Sequence, residues 1–337
     1  MIRVPLEEVQ TVLARIFTRL GFDASSATVC ARIFAEASRD GVASHGINRV
    51  PRFVSYVRSG VVDVRAQAEC VGTPGTAWEQ WDGHRAAGPL SATTCMSRAI
   101  ELARVHGVSV VGLRNTNHWM RGGAYGWQAV DAGLLGVCWT NTTPNLPPWG
   151  GRENRLGNNP LIVAVPSASG GVVLDMSMSQ FSYGRMETAQ HRGERLPVAG
   201  GYDKQGRLTD DPGAILEAGR PLPIGFWKGS GLSLLLDLTA AFVSGGWTTS
   251  QIRREAAETG LSQVFMAFDV DRSMAASVRN TLIASVLEWT ATSAPSEGSR
   301  SAIRFPGDST LSSRRDSMEK GIPVDEAIWA EVLAFDA

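Results

Sequence analysis

Cysteine is scarce in this chain. The four present, Cys30, Cys70, Cys95 and Cys138, include no close pair among 337 residues. That argues against a disulfide framework or a cysteine zinc site and fits a reducing compartment. Charge of either sign is not in excess: Lys plus Arg number 32 and Asp plus Glu 33, a formal net charge of −1. No global field therefore attracts nucleic acid. No apolar run reaches the roughly 18 residues of a membrane-spanning helix. The N-terminal stretch turns acidic at Glu7-Glu8, without the unbroken apolar segment of a signal peptide. The five histidines (His45, His84, His106, His118, His191) lack ligand spacing, so no metal is expected. The P-loop, the H-E-x-x-H motif and the G-x-S-x-G elbow are all missing. The nearest approach to a dinucleotide fingerprint is Gly229-Ser230-Gly231-Leu232-Ser233-Leu234, which lacks the third glycine and follows a poor strand.

Apolar residues and glycine are plentiful. With 43% hydrophobic and 19% charged residues, the chain can bury a sizeable core. Thirty-six glycines suggest tight turns and backbone brought close to a ligand. The length allows about two domains. A globular, cytoplasmic enzyme is expected.

Periodicity predicts helices over 6–20, 24–37 and 49–59, an α-rich opening unit. A hairpin over 66–82 turns at Gly72-Thr73-Pro74-Gly75. The texture is then mixed. Helices are predicted over 88–105, 123–132, 231–243 (mostly buried), 275–289 and 325–335. Strands are predicted over 108–113, 134–141, 161–165, 172–176 and 263–270, with a polar loop at 293–301.

Three stretches carry candidate chemistry. In Ser44-His45-Gly46-Ile47-Asn48-Arg49, a titratable imidazole precedes a guanidinium by four residues. The pair could protonate a substrate and anchor its carboxylate, or could be a cap and a solvated charge. Asn115 to Trp127 is dense in polar, glycine and aromatic residues after a predicted strand, where α/β ligand sites often lie. There His118 could contact substrate with Trp119 and Trp127 as walls, or all three could be core. Lys228 at the head of an apolar helix could hold a phosphate or merely follow a tight turn.

Taken with Leu156-Gly157-Asn158-Asn159-Pro160, Asp175-Met176-Ser177 and Arg304-Phe305-Pro306-Gly307-Asp308, these stretches resemble the malate/L-lactate dehydrogenase family of the second type, unrelated to the Rossmann dehydrogenases. The resemblance covers nearly the whole chain. It implies a non-Rossmann α/β fold with a helical N-terminal unit (1–65), a mixed α/β cofactor- and substrate-binding core (66–310) and a C-terminal helical part (311–337), together one catalytic unit. It implies a homodimer and a nicotinamide cofactor, NADH ahead of NADPH. His45 would be the proton donor, Arg49 the carboxylate anchor, and Asn117 and His118 further substrate contacts. Gly171, Val172, Val173, Leu174, Asp175, Met176 and Ser177, with Trp227, Lys228, Pro306, Gly307 and Asp308, would touch the cofactor.

A narrower likeness rests on Asn117 to Gly123, Met176 to Ser179, Phe181 to Gly184 and Phe226 to Gly231. It implies reduction of a 2-keto sugar acid, 2,3-diketo-L-gulonate to 3-dehydro-L-gulonate, by hydride transfer to C2. Oxidation of another 2-hydroxy acid (ureidoglycolate, malate or lactate), a non-catalytic small-acid binding protein and a cofactor-free lyase are the alternatives. One departure is visible: many relatives carry threonine where this chain has Asn158.

Overall fold

The computed structural model describes residues 1–296 and 303–336. A short strand β1 (Ile2–Val4) leads into α1 (Leu6–Arg19), α2 (Ala24–Arg39) and α3 (Val50–Arg58). The three- and four-residue spacing in α1 buries Val9, Leu13, Ile16 and Phe17. The Asp23 carboxylate accepts the Ser26 N–H and so starts α2. Pro51 lies in the first turn of α3, where its missing N–H costs nothing. Phe17 meets Phe34 and Phe53 with ring centroids 5.6 and 5.3 Å away.

The central part follows as β2 (Glu69–Cys70), β3 (Trp78–Asp82), α4 (Gly88–His106), β4 (Val108–Asn117), α5 (Gly123–Asp131), β5 (Leu135–Thr140), β6 (Leu161–Val165) and β7 (Val172–Met176). Next come α6 (Tyr183–His191), the small hairpin of β8 (Gly201–Tyr202) and β9 (Leu208–Thr209), α7 (Pro212–Ala218), α8 (Trp227–Ser244), α9 (Thr249–Ile252) and β10 (Thr259–Phe268). Seven strands form one sheet in the order β2-β3-β4-β10-β5-β6-β7, in which only the β3–β4 pair is parallel. A second core on this sheet joins Met96 and Ile100 of α4 to Val111, Leu113, Ile162 and Phe265.

The chain closes with α10 (Ala276–Ala291), α11 (Asp308–Lys320), β11 (Ile322–Val324) and α12 (Glu326–Ala334). β11 pairs antiparallel with β1, and Trp329 and Val332 of α12 enter the same core as α1–α3. The two chain ends therefore share one apolar cluster.

Three expectations need correction. The helix expected over 231–243 begins at Trp227 and is far from mostly buried, with Leu235 58% and Phe242 71% exposed. A helix apolar all round has a second face, which this chain alone does not cover. β4 runs four residues further at its C-terminal end than expected, and β10 begins four residues earlier and ends two earlier. Polar Asn115, Thr116 and Asn117 continue β4 because β10 supplies partners through an irregular register, which pattern alone does not reveal. The short α6 and α7 carried too little periodicity to be expected, and the polar α11 was expected only within the helical part that the resemblance implies over 311–337. The polar loop expected over 293–301 lies partly outside the described residues. Among the described residues, no helix is long and apolar enough to cross a membrane.

Candidate active site

β4, β5 and β7 run in one direction, antiparallel to β10 and β6. One edge of the sheet thus collects the C-terminal ends of the first three and the N-terminal ends of the other two. A cavity of about 500 Å³ opens at this edge. His118 to Gly122 follow β4, Thr140 ends β5 with Thr142, Thr143 and Asn145 just after it, Asn158 and Pro160 precede β6, Asp175 and Ser177 lie at the end of β7, and Glu258 precedes β10. The turn carrying Ser44, His45 and Arg49 closes one side, and Ser182, Tyr183 and Glu187 of the α6 region close another.

His45 and His118 stand side by side, with ring centroids 5.7 Å apart and planes inclined by 26°. Ser44 Oγ lies 3.0 Å from His45 Nδ1. Burial, then the positive charge of Arg49, pulls the His45 pKa down to about 4, against a partial offset from Asp175. His118 is held well below the ordinary histidine range by burial and then by Arg49. Its Nδ1 accepts the Met120 N–H at 3.0 Å. Neutral His118 therefore carries its proton on Nε2 and is a hydrogen-bond donor there. The backbone is shaped for this contact, since Met120 has φ +65°.

Arg49 makes no side-chain hydrogen bond among the described residues. Its one ion-pair partner is Glu258, at 3.6 Å between Nη2 and Oε2. The guanidinium fork is thus free to receive a carboxylate. Burial lowers the Arg49 pKa and raises that of Glu258.

A second polar cluster lies beneath the cleft. Asp40, the last-turn cap of α2, accepts from Arg39 Nε at 2.8 Å, Arg121 Nη1 at 2.6 Å, and Arg314 Nε and Nη2 at 3.0 and 2.8 Å. Burial alone would raise the Asp40 pKa, but these three cations bring it to about 2. Arg121 also donates to Thr310 Oγ1 at 3.0 Å. Its Nε is buried without a hydrogen-bond partner, 3.7 Å from Asp175. Asp175 in turn accepts the Gly123 N–H at 2.9 Å. Asn158, the residue that departs from many relatives, accepts from Thr142 Oγ1 at 3.1 Å and Asn145 Nδ2 at 3.0 Å. That leaves Asn145 Oδ1 buried without a partner.

The other expected residues scatter around this frame. The Asn117 amide is spent on the carbonyls of Val61, Arg85 and Ala86, so it ties strands and loops together behind the cleft. The Trp119 ring packs against Tyr125 and Phe265, and Trp127 lies under the Arg314 guanidinium, so both support the site from the core. β7 brings Gly171 to Ser177 beside Pro306, whose carbonyl accepts the Val173 N–H at 3.1 Å. Gly307 (φ +99°) and Asp308 begin α11 at the same place. Trp227 and Lys228 do not line the cleft. They open α8 on the outer surface, next to Phe226, whose ring meets Trp149 at 5.1 Å. Sequence reading missed Asp40 and Glu258; neither sits in a recognisable motif, and the partners Arg314 and Arg49 are distant in the chain.

A sequence profile of the family described as malate/L-lactate dehydrogenase matches residues 4–333. The 2,3-diketo-L-gulonate reductase of Escherichia coli (strain K12) is 42% identical over 334 residues, 99% of this chain and 100% of that protein. Among solved structures, sulfolactate dehydrogenase from Methanocaldococcus jannaschii matches with TM-score 0.87 and 25% identity, over 99% of this chain and 96% of that one. Delta1-piperideine-2-carboxylate reductase from Pseudomonas syringae pv. tomato matches with TM-score 0.85 and 27% identity, over 99% and 100%.

Proposed function

This chain belongs to the malate/L-lactate dehydrogenase family and is an oxidoreductase, and from that premise we propose that it reduces a 2-keto sugar acid, 2,3-diketo-L-gulonate, to 3-dehydro-L-gulonate. The family implies a nicotinamide cofactor. The observation that carries the proposal is the juxtaposition of His45, His118 and Arg49 in one cleft, with the guanidinium in an ion pair at 3.6 Å but in no side-chain hydrogen bond among the described residues. The full-length likeness to the E. coli reductase narrows the substrate.

The cleft suits the cofactor on one count. A buried donor, Arg121 Nε, and a buried acceptor, Asn145 Oδ1, belong to residues that line it and have no hydrogen-bond partner among the described residues. Gly171 to Ser177 with Pro306, Gly307 and Asp308 would hold the cofactor along β7, and Trp227 and Lys228 its far end. NADH is proposed ahead of NADPH. When bound, the nicotinamide supplies the hydride for the C2 carbonyl.

Arg49 receives the substrate carboxylate in a two-pronged contact and so orients C2. His118 Nε2–H donates to a substrate oxygen. His45 gives a proton to the carbonyl oxygen as negative charge builds there. In the empty cleft His45 is neutral at pH 7, in part because of Arg49. A carboxylate seated on Arg49 offsets that charge and favours the protonated imidazole in the complex. Asn117 acts as a positioning residue, holding the end of β4 from which His118 projects.

A homodimer is also proposed. It is supported by the bare apolar faces of α8 and of α10, which buries none of its own residues and exposes Val278, Leu282 and Val286. The cysteines are all free, in keeping with the cytoplasm.

Loss of NADH absorbance with a panel of 2-keto acids tests the proposal. Preferred turnover of 2,3-diketo-L-gulonate is expected. Preference for the keto acids of malate, lactate or ureidoglycolate would keep the oxidoreductase and overturn the substrate.

A further inference from the structure

Glu258 has no part in the chemistry set out above, yet it lies in the same cleft, with its side chain only 12% exposed. Its Oε2 stands 3.6 Å from Arg49 Nη2, close enough for strong attraction and too far for a hydrogen bond. Arg49 has no other ion-pair partner among the described residues. The charged and titratable groups around the pair are few. Arg52 and Tyr56 of α3 act on it from one side, Glu187 of α6 acts on Arg49 from another, and His45 and His118 complete the ring. The Thr143 N–H also points to the Glu258 carboxylate.

We propose that Glu258 is the resident counter-ion of Arg49 in the empty site, and that an arriving substrate carboxylate takes its place while Glu258 binds a proton from solvent. The inference rests on the reading of Arg49 as the carboxylate anchor. Two carboxylates cannot both stay ionised beside one half-buried guanidinium without mutual repulsion. Burial already disfavours the charged form of Glu258, so it is the member that yields. Once protonated, it turns from an acceptor into an O–H donor beside the substrate. Substrate binding thus takes up a proton, and Glu258 is a positioning residue that sets the charge acceptable at Arg49. A monoanion that can release Glu258 binds, while a neutral ligand leaves the Arg49–Glu258 pair closed.

The test uses the full-length protein saturated with NADH and oxamate as an unreactive carboxylate ligand. Calorimetric titration at pH 7.5 in two buffers of different protonation enthalpy reads proton uptake directly. The wild type is expected to show buffer-dependent heat corresponding to about half a proton or more. Glu258→Gln is expected to remove the carboxylate's share of it, leaving at most the part that belongs to His45, and to tighten oxamate by about three- to tenfold at pH 8, with KM for the keto acid falling alongside while kcat changes little. Glu258→Asp should restore the uptake.

Weaker oxamate binding by a folded Glu258→Gln would overturn the inference, because it would make the residue a support for Arg49. Uptake that is undiminished in Glu258→Gln would overturn it as well. The wild-type buffer comparison stands even if the variant fails to fold, and heat independent of the buffer would overturn the proposal. Failure of the functional reading looks different: the wild type would then neither bind oxamate nor turn over any 2-keto acid.

Discussion

The rings of His45 and His118 lie 5.7 Å apart at 26°, and only one of them has its tautomer fixed by the backbone. The Met120 N–H occupies His118 Nδ1, so that ring can donate from Nε2. Among the described residues, the His45 ring is tied only to the hydroxyl of Ser44. This difference supports the proposed division of roles, in which His118 orients the substrate and His45 exchanges a proton.

We expect His45→Ala to reduce turnover by about 10²–10⁴-fold, the usual contribution of a general acid. NADH binding, followed by quenching of its fluorescence, should be nearly unchanged. Loss of NADH binding with a normal melting temperature would make His45 a cofactor contact instead.

The pH dependence follows from the His45 pKa of about 4 in the empty site. Reduction needs the protonated ring, so kcat/KM for the keto acid should fall as pH rises across the neutral range. Oxidation of the hydroxy acid needs the neutral ring, which is present above about pH 4, so its kcat/KM should not gain from His45 ionisation between pH 6 and 8. Initial rates in both directions across pH 5–9 check this, and a flat reduction profile would remove His45 as the donor.

Arg49→Lys should raise KM for the keto acid by about 10- to 100-fold, because a lysine presents a point charge where a planar fork is required. The change should fall mainly on KM. Equal losses in kcat would show that Arg49 also acts on the transition state.

Asp40→Asn should destabilise the protein by about 3–5 kcal/mol, since it strands Arg121 and Arg314 around a neutral amide. The same carboxylate makes the fold acid-sensitive. Its folded pKa of about 2 lies below the ordinary 3.8, so its contribution is complete above 3.8 and is lost as pH falls towards 2. His45 acts in the same direction at higher pH. The unfolded chain binds its proton below 6.5 while the folded chain resists down to about 4, so stability declines across that window too. Denaturant midpoints from pH 7 to pH 3 should fall less steeply in Asp40→Asn.

Gly88→Ala should disturb the site from behind. A Cβ at residue 88 would come within 2.2 Å of the His118 carbonyl oxygen and 2.4 Å of that of Asn117. Backbone cannot yield cheaply, so we expect a loss of about 1–3 kcal/mol and a fall in kcat/KM from displaced His118. Wild-type activity with wild-type stability would show that α4 can shift without moving the loop.

Local chemistry made much of this legible in advance. The apolar spacing of α1, the Asp23 cap of α2, and the short β-branched runs of β6 and β7 each fix an element with information held within a few residues. The Ser44 to Arg49 and Asn117-His118 stretches marked two walls of the cleft for the same reason: the side chains and the turns that present them are neighbours in sequence.

What the sequence by itself determined, then, was the element types, the family resemblance and the titratable candidates. Tertiary structure alone decided which candidates face one another. Asn117 turned to backbone carbonyls, Trp119 sank into the core, and Trp227 with Lys228 stayed outside the cleft. It also brought Glu258 to Arg49 and Arg314 to Asp40 across more than 200 residues of chain. The physical reason is that a pKa, an ion pair or an unpaired buried donor depends on distances and desolvation set by packing, and those distances are properties of the sheet's shared edge rather than of any one segment.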